Sequence, residues 1–141
     1  MKQSLAPGLT HVHRFVVPSS KTVPALYPES DAFQAMPAVF ATGFRVGLVE
    51  WTCLLTIAPH LDAGEQTVGT HVDLSHEAAT PPGLEVSVRA ELVEIDGRKL
   101  TFRVEAHDSV DTIARGWHER HLIDRVRFDA KVARKLKDDS Q

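Results

Sequence analysis

The stretch from residue 38 to residue 58 constrains the fold most, because it holds the only long helical pattern in the chain and is apolar almost all round. It contains "VFATGFRVGLVEW" at 39–51 and runs on to Pro59, which closes it. At about 100° per residue, Thr42, Val46, Val49, Glu50, Cys53 and Ile57 fall within one broad stripe. A helix with so little polar surface needs cover on most of its sides. The rest of the chain must supply that cover.

What remains reads as strands. "LTHVHRFVVP" (9–18) alternates loosely and stops at a proline, as a first strand does. Residues 19–37, with Pro24, Pro28 and Pro37, have few periodic apolar positions and read as a loop or lid. "TVGTHVDLSHEA" (67–78) alternates, with Val68, Thr70, Val72, Leu74, His76 and Ala78 on the apolar side and Thr67, Gly69 and His71 on the polar side. "LEVSVRAEL" (84–92) places Leu84, Val86, Val88, Ala90 and Leu92 inward. The "DG" at 96–97 signals a hairpin into Leu100, Phe102, Val104 and Ala106. A turn at "DSVD" (108–111) leads to a last strand over 112–126, and residues 128–141 form a charged tail able to make a short basic helix. One long helix, with an antiparallel sheet wrapped around it, satisfies this order. That is the α+β hot-dog arrangement, whose members commonly dimerise by extending the sheet; a cystatin-like or other α+β roll is the alternative.

At 141 residues, with no internal repeat or long linker, residues 1–141 read as a single domain. A net charge of −3 gives no reason to expect nucleic acid as partner. The one cysteine, Cys53, excludes an internal disulfide framework, and no opening segment has the order of a signal peptide. The longest apolar run is interrupted by Glu50 and Thr52, which argues against a membrane span. These features predict a cytoplasmic enzyme or binding protein.

Glu50 is the chemical anomaly of the helix. As an ordinary residue it would be solvated, or paired with Arg45 or Arg120. Its neighbours Leu48, Val49, Trp51, Leu54 and Leu55 offer no polar stripe, and an unpaired buried carboxylate is costly. His76, on an expected inner strand face, is either a core histidine bonded to a carbonyl or a proton-transfer group. Thr42 near the helix start is either a cap or a hydroxyl for catalysis. Together the three point to acyl-transfer chemistry. Eight residues of straight helix span about 12 Å, so Thr42 and Glu50 can cooperate only through a bend at Gly43 or through a second subunit. An exposed N–H at the helix start or at Gly69 would serve as an oxyanion donor. No histidine pair has metal-ligand spacing, and His118 and His121 of "HERH" fall on opposite strand faces, so no metal is expected. No GxSxG, Walker or GxGxxG motif occurs, and Cys53 reads as packing.

The segments "FVVP", "KTV", "LYPES", "VFATGF", "GLVEW", "HEAATPPGL", "AHDSVD" and "HER" together resemble the fluoroacetyl-CoA thioesterase family of hot-dog enzymes over roughly residues 12–132. The resemblance implies hydrolysis of a short acyl-CoA, with fluoroacetyl-CoA as the substrate and self-protection as the role. It implies no cofactor, since CoA belongs to the substrate, and a homodimer with the site near the subunit interface. The family's catalytic threonine, glutamate and histidine fall by position on Thr42, Glu50 and His76, while Gly69 and Arg120 match positions that line or support the pocket. The chain departs from the family in the lid, where Met36 stands in place of a phenylalanine. A non-catalytic acyl-CoA binding module and a hot-dog hydratase or dehydratase are the rival readings.

Overall fold

The computed structural model of the protein describes residues 1–139. Strand β1 (Thr10–Val16) is followed by a turn and two short helices, α1 (Val23–Leu26) and α2 (Asp31–Gln34). The long helix α3 (Thr42–Ile57) leads to β2 (Glu65–Leu74), β3 (Glu85–Asp96), β4 (Lys99–His107), β5 (Thr112–Asp124) and a last helix α4 (Arg125–Asp139). The strands form one antiparallel sheet in the order β1-β3-β4-β5-β2, with α3 packed on its inner face. This is the expected hot-dog arrangement. No helix among the described residues is long and apolar enough to cross a membrane.

The core follows from strand alternation. Val86, Val88, Ala90 and Leu92 of β3 and Leu100, Phe102, Val104 and Ala106 of β4 are all buried, as their spacing predicts. The β3–β4 hairpin closes at Asp96↔Lys99, and Gly97 takes the positive φ of +60° that its turn requires.

Helix α3 departs from expectation in two ways. It buries Arg45, Leu48, Val49, Thr52, Cys53, Thr56 and Ile57, so its inward stripe includes Arg45, Thr52 and Thr56 rather than Thr42 and Val46. The threonines are tolerated because each hydroxyl bonds to a carbonyl one turn back, Thr52 to Leu48 and Thr56 to Thr52, both at 2.8 Å. Nor is the helix covered all round. A single sheet shields one side, and Gly43, Gly47, Trp51, Leu54 and Ala58 form an exposed line on the other.

Other boundaries also shift. The lid at 19–37 is built of turns and helices rather than loop, with its ends tied where Val23 N–H meets the Val39 carbonyl and Ala41 N–H meets that of Lys21, both at 3.0 Å. Strand β2 stops at Leu74, not at residue 78, so His76 lies beyond it and is exposed rather than on an inner face. Within β2, Gly69 pairs with Arg120 and His71 with Glu119, leaving Thr70 as an extra residue. Directly opposed residues share a face, so Thr67 and Gly69 lie inward before the bulge, the reverse of the expected set. The expected tail begins earlier, as α4 at Arg125, where the Asp124 carboxylate accepts from Arg127 N–H at 3.0 Å. The tail's residues 140–141 lie outside the described residues.

Candidate active site

At the middle of α3, Glu50 leans over the sheet toward β5. Alternation in β5 turns His118 and Arg120 inward, and Arg120 is only 4% exposed. Every nitrogen of its guanidinium is engaged. Nε donates to Thr67 Oγ1 at 2.8 Å and Nη2 to the Thr67 carbonyl at 2.9 Å. Nη1 donates to Glu50 Oε2 at 2.9 Å and to His118 Nε2 at 3.0 Å. Glu50 is therefore paired with Arg120, and Arg45 takes no part. The glutamate side chain is nonetheless 39% exposed, and only Oε2 is bonded among the described residues. One oxygen is fixed while the other has no hydrogen-bond partner among the described residues.

The carboxylate lies against backbone at Gly69. A Cβ built there would stand 2.9 Å from Glu50 Oε2, 3.2 Å from His118 Cε1 and 3.3 Å from Arg120 Nη1. A side chain there would have to displace the carboxylate, so glycine is what lets Glu50 Oε2 rest in this position.

Thr42 is at the start of the same helix, in different surroundings. The N-cap is Ala41, so Thr42 is the first helical residue and does not cap. Its hydroxyl makes no hydrogen bond among the described residues. The first bond of the helix runs from Arg45 N–H to the Ala41 carbonyl, which leaves the amides of Thr42 to Phe44 without intrahelical acceptors. This helix start lines a cavity of about 560 Å³, whose walls include Val23, Leu26, Phe33, Met36, Thr42 and Gly43. The lid comes so close that a Cβ on Gly43 would lie 3.0 Å from Leu26 Cδ2. An apolar chamber with a positive helix end at its base suits a small acyl group whose carbonyl gains charge.

His76 joins neither group directly. Its segment is pinned by Arg45, a buried side chain whose Nη1 donates to the carbonyls of Ala78 at 3.1 Å and Ile113 at 2.9 Å. Although the His76 side chain is exposed, desolvation by the protein around it, and then the Arg45 charge, lower the imidazole from its ordinary range, which favours the neutral form able to take a proton at neutral pH. The structure thus brings together Glu50, Gly69 and Arg120, and separately Thr42 and Met36, with His76 apart.

His118, Thr67 and Arg45 were not among the expected site residues. The spacing of "HERH" carries a signal for the first, since His118 and Arg120 are two apart on a strand and share a face. Cys53 is fully buried and its thiol is pushed up to about 12, first by burial, which leaves it protonated and unreactive. Among the described residues no group of three His, Cys, Asp or Glu side chains could hold a metal ion.

Residues 22–126 match the family described as fluoroacetyl-CoA-specific thioesterase. A fluoroacetyl-CoA thioesterase from Streptantibioticus cattleyicolor is 53% identical over 135 residues, covering 96% of this chain and 97% of that protein. The solved structure of a threonine-to-alanine variant of the fluoroacetyl-CoA thioesterase FlK, in complex with fluoro-acetate, matches with a TM-score of 0.90 at 52% identity, over 93% of this chain and 98% of that one. A Thermus thermophilus protein, a thioesterase superfamily member, matches with a TM-score of 0.84 at 28% identity, over 96% of each chain. The chain belongs to the fluoroacetyl-CoA-specific thioesterase family.

Proposed function

We propose that this thioesterase hydrolyses fluoroacetyl-CoA to fluoroacetate and CoA, and that its role is to remove that acyl-CoA. The observation that carries the reading is the Glu50 carboxylate, with Oε2 fixed by Arg120, its other oxygen unbonded among the described residues and its side chain 39% exposed. That oxygen takes a proton from water, the water oxygen attacks the thioester carbon, and the C–S bond breaks. His76, neutral near pH 7 and so able to accept, relays the proton that Glu50 took from water to the departing sulfur. The sulfur leaves as the CoA thiol while Glu50 and His76 return to their starting forms. Thr42 orients the acyl group in the lid chamber, and amides at the start of α3 or at Gly69 hold the oxyanion. Met36 shapes the chamber wall. The reaction as written uses water and side chains only, with no cofactor.

An unbroken α3 keeps Thr42 and Glu50 about 12 Å apart. One thioester can meet both only if a second copy of the chain brings its Glu50 toward this Thr42 or the reverse. A homodimer with the site at the interface therefore belongs to the proposal. Two features support it: the open edge of β2, ten residues long, and the exposed line of α3 with Trp51 and Leu54 at 48% and 38% exposure.

Thiol release from acetyl-, fluoroacetyl- and longer acyl-CoAs tests the reading. Glu50→Gln, correctly folded, is expected to lose at least about a hundredfold in kcat, and full turnover in that variant would refute the assignment. Equal rates on acetyl- and fluoroacetyl-CoA would refute the fluorine-directed role. Saturable acyl-CoA binding without any thiol release would favour a binding module instead.

A further inference from the structure

The mechanism above leaves a buried histidine unused. His118 is 1% exposed, deep between β5 and α3, and its two ring nitrogens face partners of opposite kind. Nδ1 lies 2.8 Å from the His71 carbonyl oxygen, and Nε2 lies 3.0 Å from Arg120 Nη1. A carbonyl only accepts and a guanidinium only donates. The proton must therefore sit on Nδ1, with a bare lone pair on Nε2. A doubly protonated ring would set its Nε2–H head to head with Arg120.

We infer that His118, as the neutral Nδ1–H tautomer, is a positioning residue of the site: it takes one hydrogen of Arg120 Nη1 and so aims the other at Glu50 Oε2. Thr67 grips the far side of the guanidinium through two bonds. Because the group is a planar fork of fixed N–H directions, His118 holds the near side, so that the plane cannot tilt the second Nη1 hydrogen away from Glu50. Its own ring is fixed by the His71 carbonyl and by Phe102 of β4, stacked with centroids 6.4 Å apart. The inference rests on the reading of Glu50 as the base, because it assigns His118 a task only through that carboxylate.

The surroundings agree with a neutral ring. Burial holds the imidazole below its ordinary value of 6.5; the His71 carbonyl opposes this, the Arg120 charge adds to it, and Glu50 on α3 and Glu119 on β5 oppose it. Because the folded value is depressed, the neutral form predominates at and above pH 6.5 and is lost as pH falls through the folded value. Protonation there would turn Nε2 from acceptor to donor, detach Arg120 Nη1 and release Glu50. Positioning by His118 therefore contributes to the acid limb of activity.

The test uses the full-length chain with His118→Phe and His118→Gln. The phenylalanine keeps a packed ring and removes both hydrogen bonds. Its kcat is expected to fall about ten- to a hundredfold with KM changed less than about twofold, the pattern of a displaced reacting group rather than of lost binding. The glutamine, whose amide oxygen accepts from Arg120, is expected to recover part of kcat and to shift the acid limb of the pH profile. Long-range proton–nitrogen NMR of the unaltered protein is expected to show Nδ1 protonated and Nε2 bare. An Nε2–H tautomer would overturn the inference, as would a folded His118→Phe protein with unchanged kcat and pH profile. If the phenylalanine variant does not fold, the tautomer and the glutamine profile decide. The two failures are distinguishable: full turnover in Glu50→Gln sinks the base assignment and this role with it. An inactive Glu50→Gln beside a fully active His118→Phe sinks the positioning role alone.

Discussion

Thr42 and Glu50 share one helix and differ in nearly everything else. Glu50 is locked into a network in which Arg120, Thr67 and His118 satisfy one another. Thr42 stands at an apolar chamber with no side-chain partner among the described residues, under a lid that rests on Gly43. A site that cuts small thioesters needs both kinds of surroundings. The group proposed to activate water must be held in one geometry, whereas a chamber for the acyl group needs only the right volume and a way in. The sheet supplies the first, because adjacent strands fix their inward side chains in register. The lid supplies the second, because short helices tied at their ends leave a cavity beneath them.

The contrast breaks most sharply under paired substitutions at the two ends. Arg120→Met keeps an apolar stem but strands the Thr67 oxygens and His118 Nε2, all buried acceptors, and leaves Glu50 unpaired. It is expected to cost about 2–3 kcal/mol of stability and to lose at least about a hundredfold in kcat. Thr42→Val removes a hydroxyl that has no hydrogen-bond partner among the described residues and that is proposed to orient the acyl group, so it is expected to lower turnover while shifting stability by less than about 0.5 kcal/mol. Thermal melts beside thiol-release rates measure both. A Thr42→Val protein that melts as early as Arg120→Met would show that the two ends do not differ as described.

Glycines sharpen the comparison at smaller scale. At Gly69 an added methyl group would meet Glu50 Oε2 at 2.9 Å, the end of a movable side chain, and the backbone φ is not in the glycine-favoured region. Gly69→Ala is therefore expected to fold normally while displacing the carboxylate, with kcat down about tenfold and KM little changed. At Gly43 the methyl group would instead meet Leu26 Cδ2 at 3.0 Å, so Gly43→Ala presses on the lid and is expected to alter KM and acyl preference more than kcat. Steady-state kinetics on two acyl-CoAs separates these. The reverse assignment of the kcat and KM effects would overturn the division of labour.

Much of the frame was legible before any coordinates. The alternation in β3 and β4 and the "DG" turn each rest on local rules that tertiary packing did not override. So does the existence of α3, although its inward stripe was misjudged: Thr52 and Thr56 look polar in sequence yet satisfy their hydroxyls on their own helix. The faces of β2 were not legible, because alternation assumes an unbroken pleat and the extra residue at Thr70 inverts it. That one bulge is why Gly69 turns inward toward Glu50, against its expected side. His76 was misplaced for a related reason, since the strand pattern continues past Leu74 while the strand does not. The pairing of Glu50 with Arg120 was foreseen as one of two arginine partners. Arg45 lost that role because it faces the Ala78 and Ile113 carbonyls instead.

The smallest expected effect lies at the lid, where Met36 is 52% exposed on the chamber wall near Phe33 and Leu26. Half-exposed and bonded to nothing, this side chain contributes little to folding, and Met36→Phe is expected to change stability by less than about 0.5 kcal/mol. Its consequence is for selection between acyl groups. A thioether has several accessible shapes and adapts to whatever enters, whereas a ring presents one face and one edge. Hydrogen and fluorine differ by less than a methylene, and a pocket reads a whole methylene with only about 10- to 200-fold discrimination. The ratio of fluoroacetyl-CoA to acetyl-CoA kcat/KM is therefore expected to change by only about two- to tenfold in Met36→Phe, upward, because the ring narrows the chamber. An unchanged ratio would mean that selection between the two acyl groups occurs at the held carboxylate and its partners, and that the lid serves only to admit and enclose the substrate.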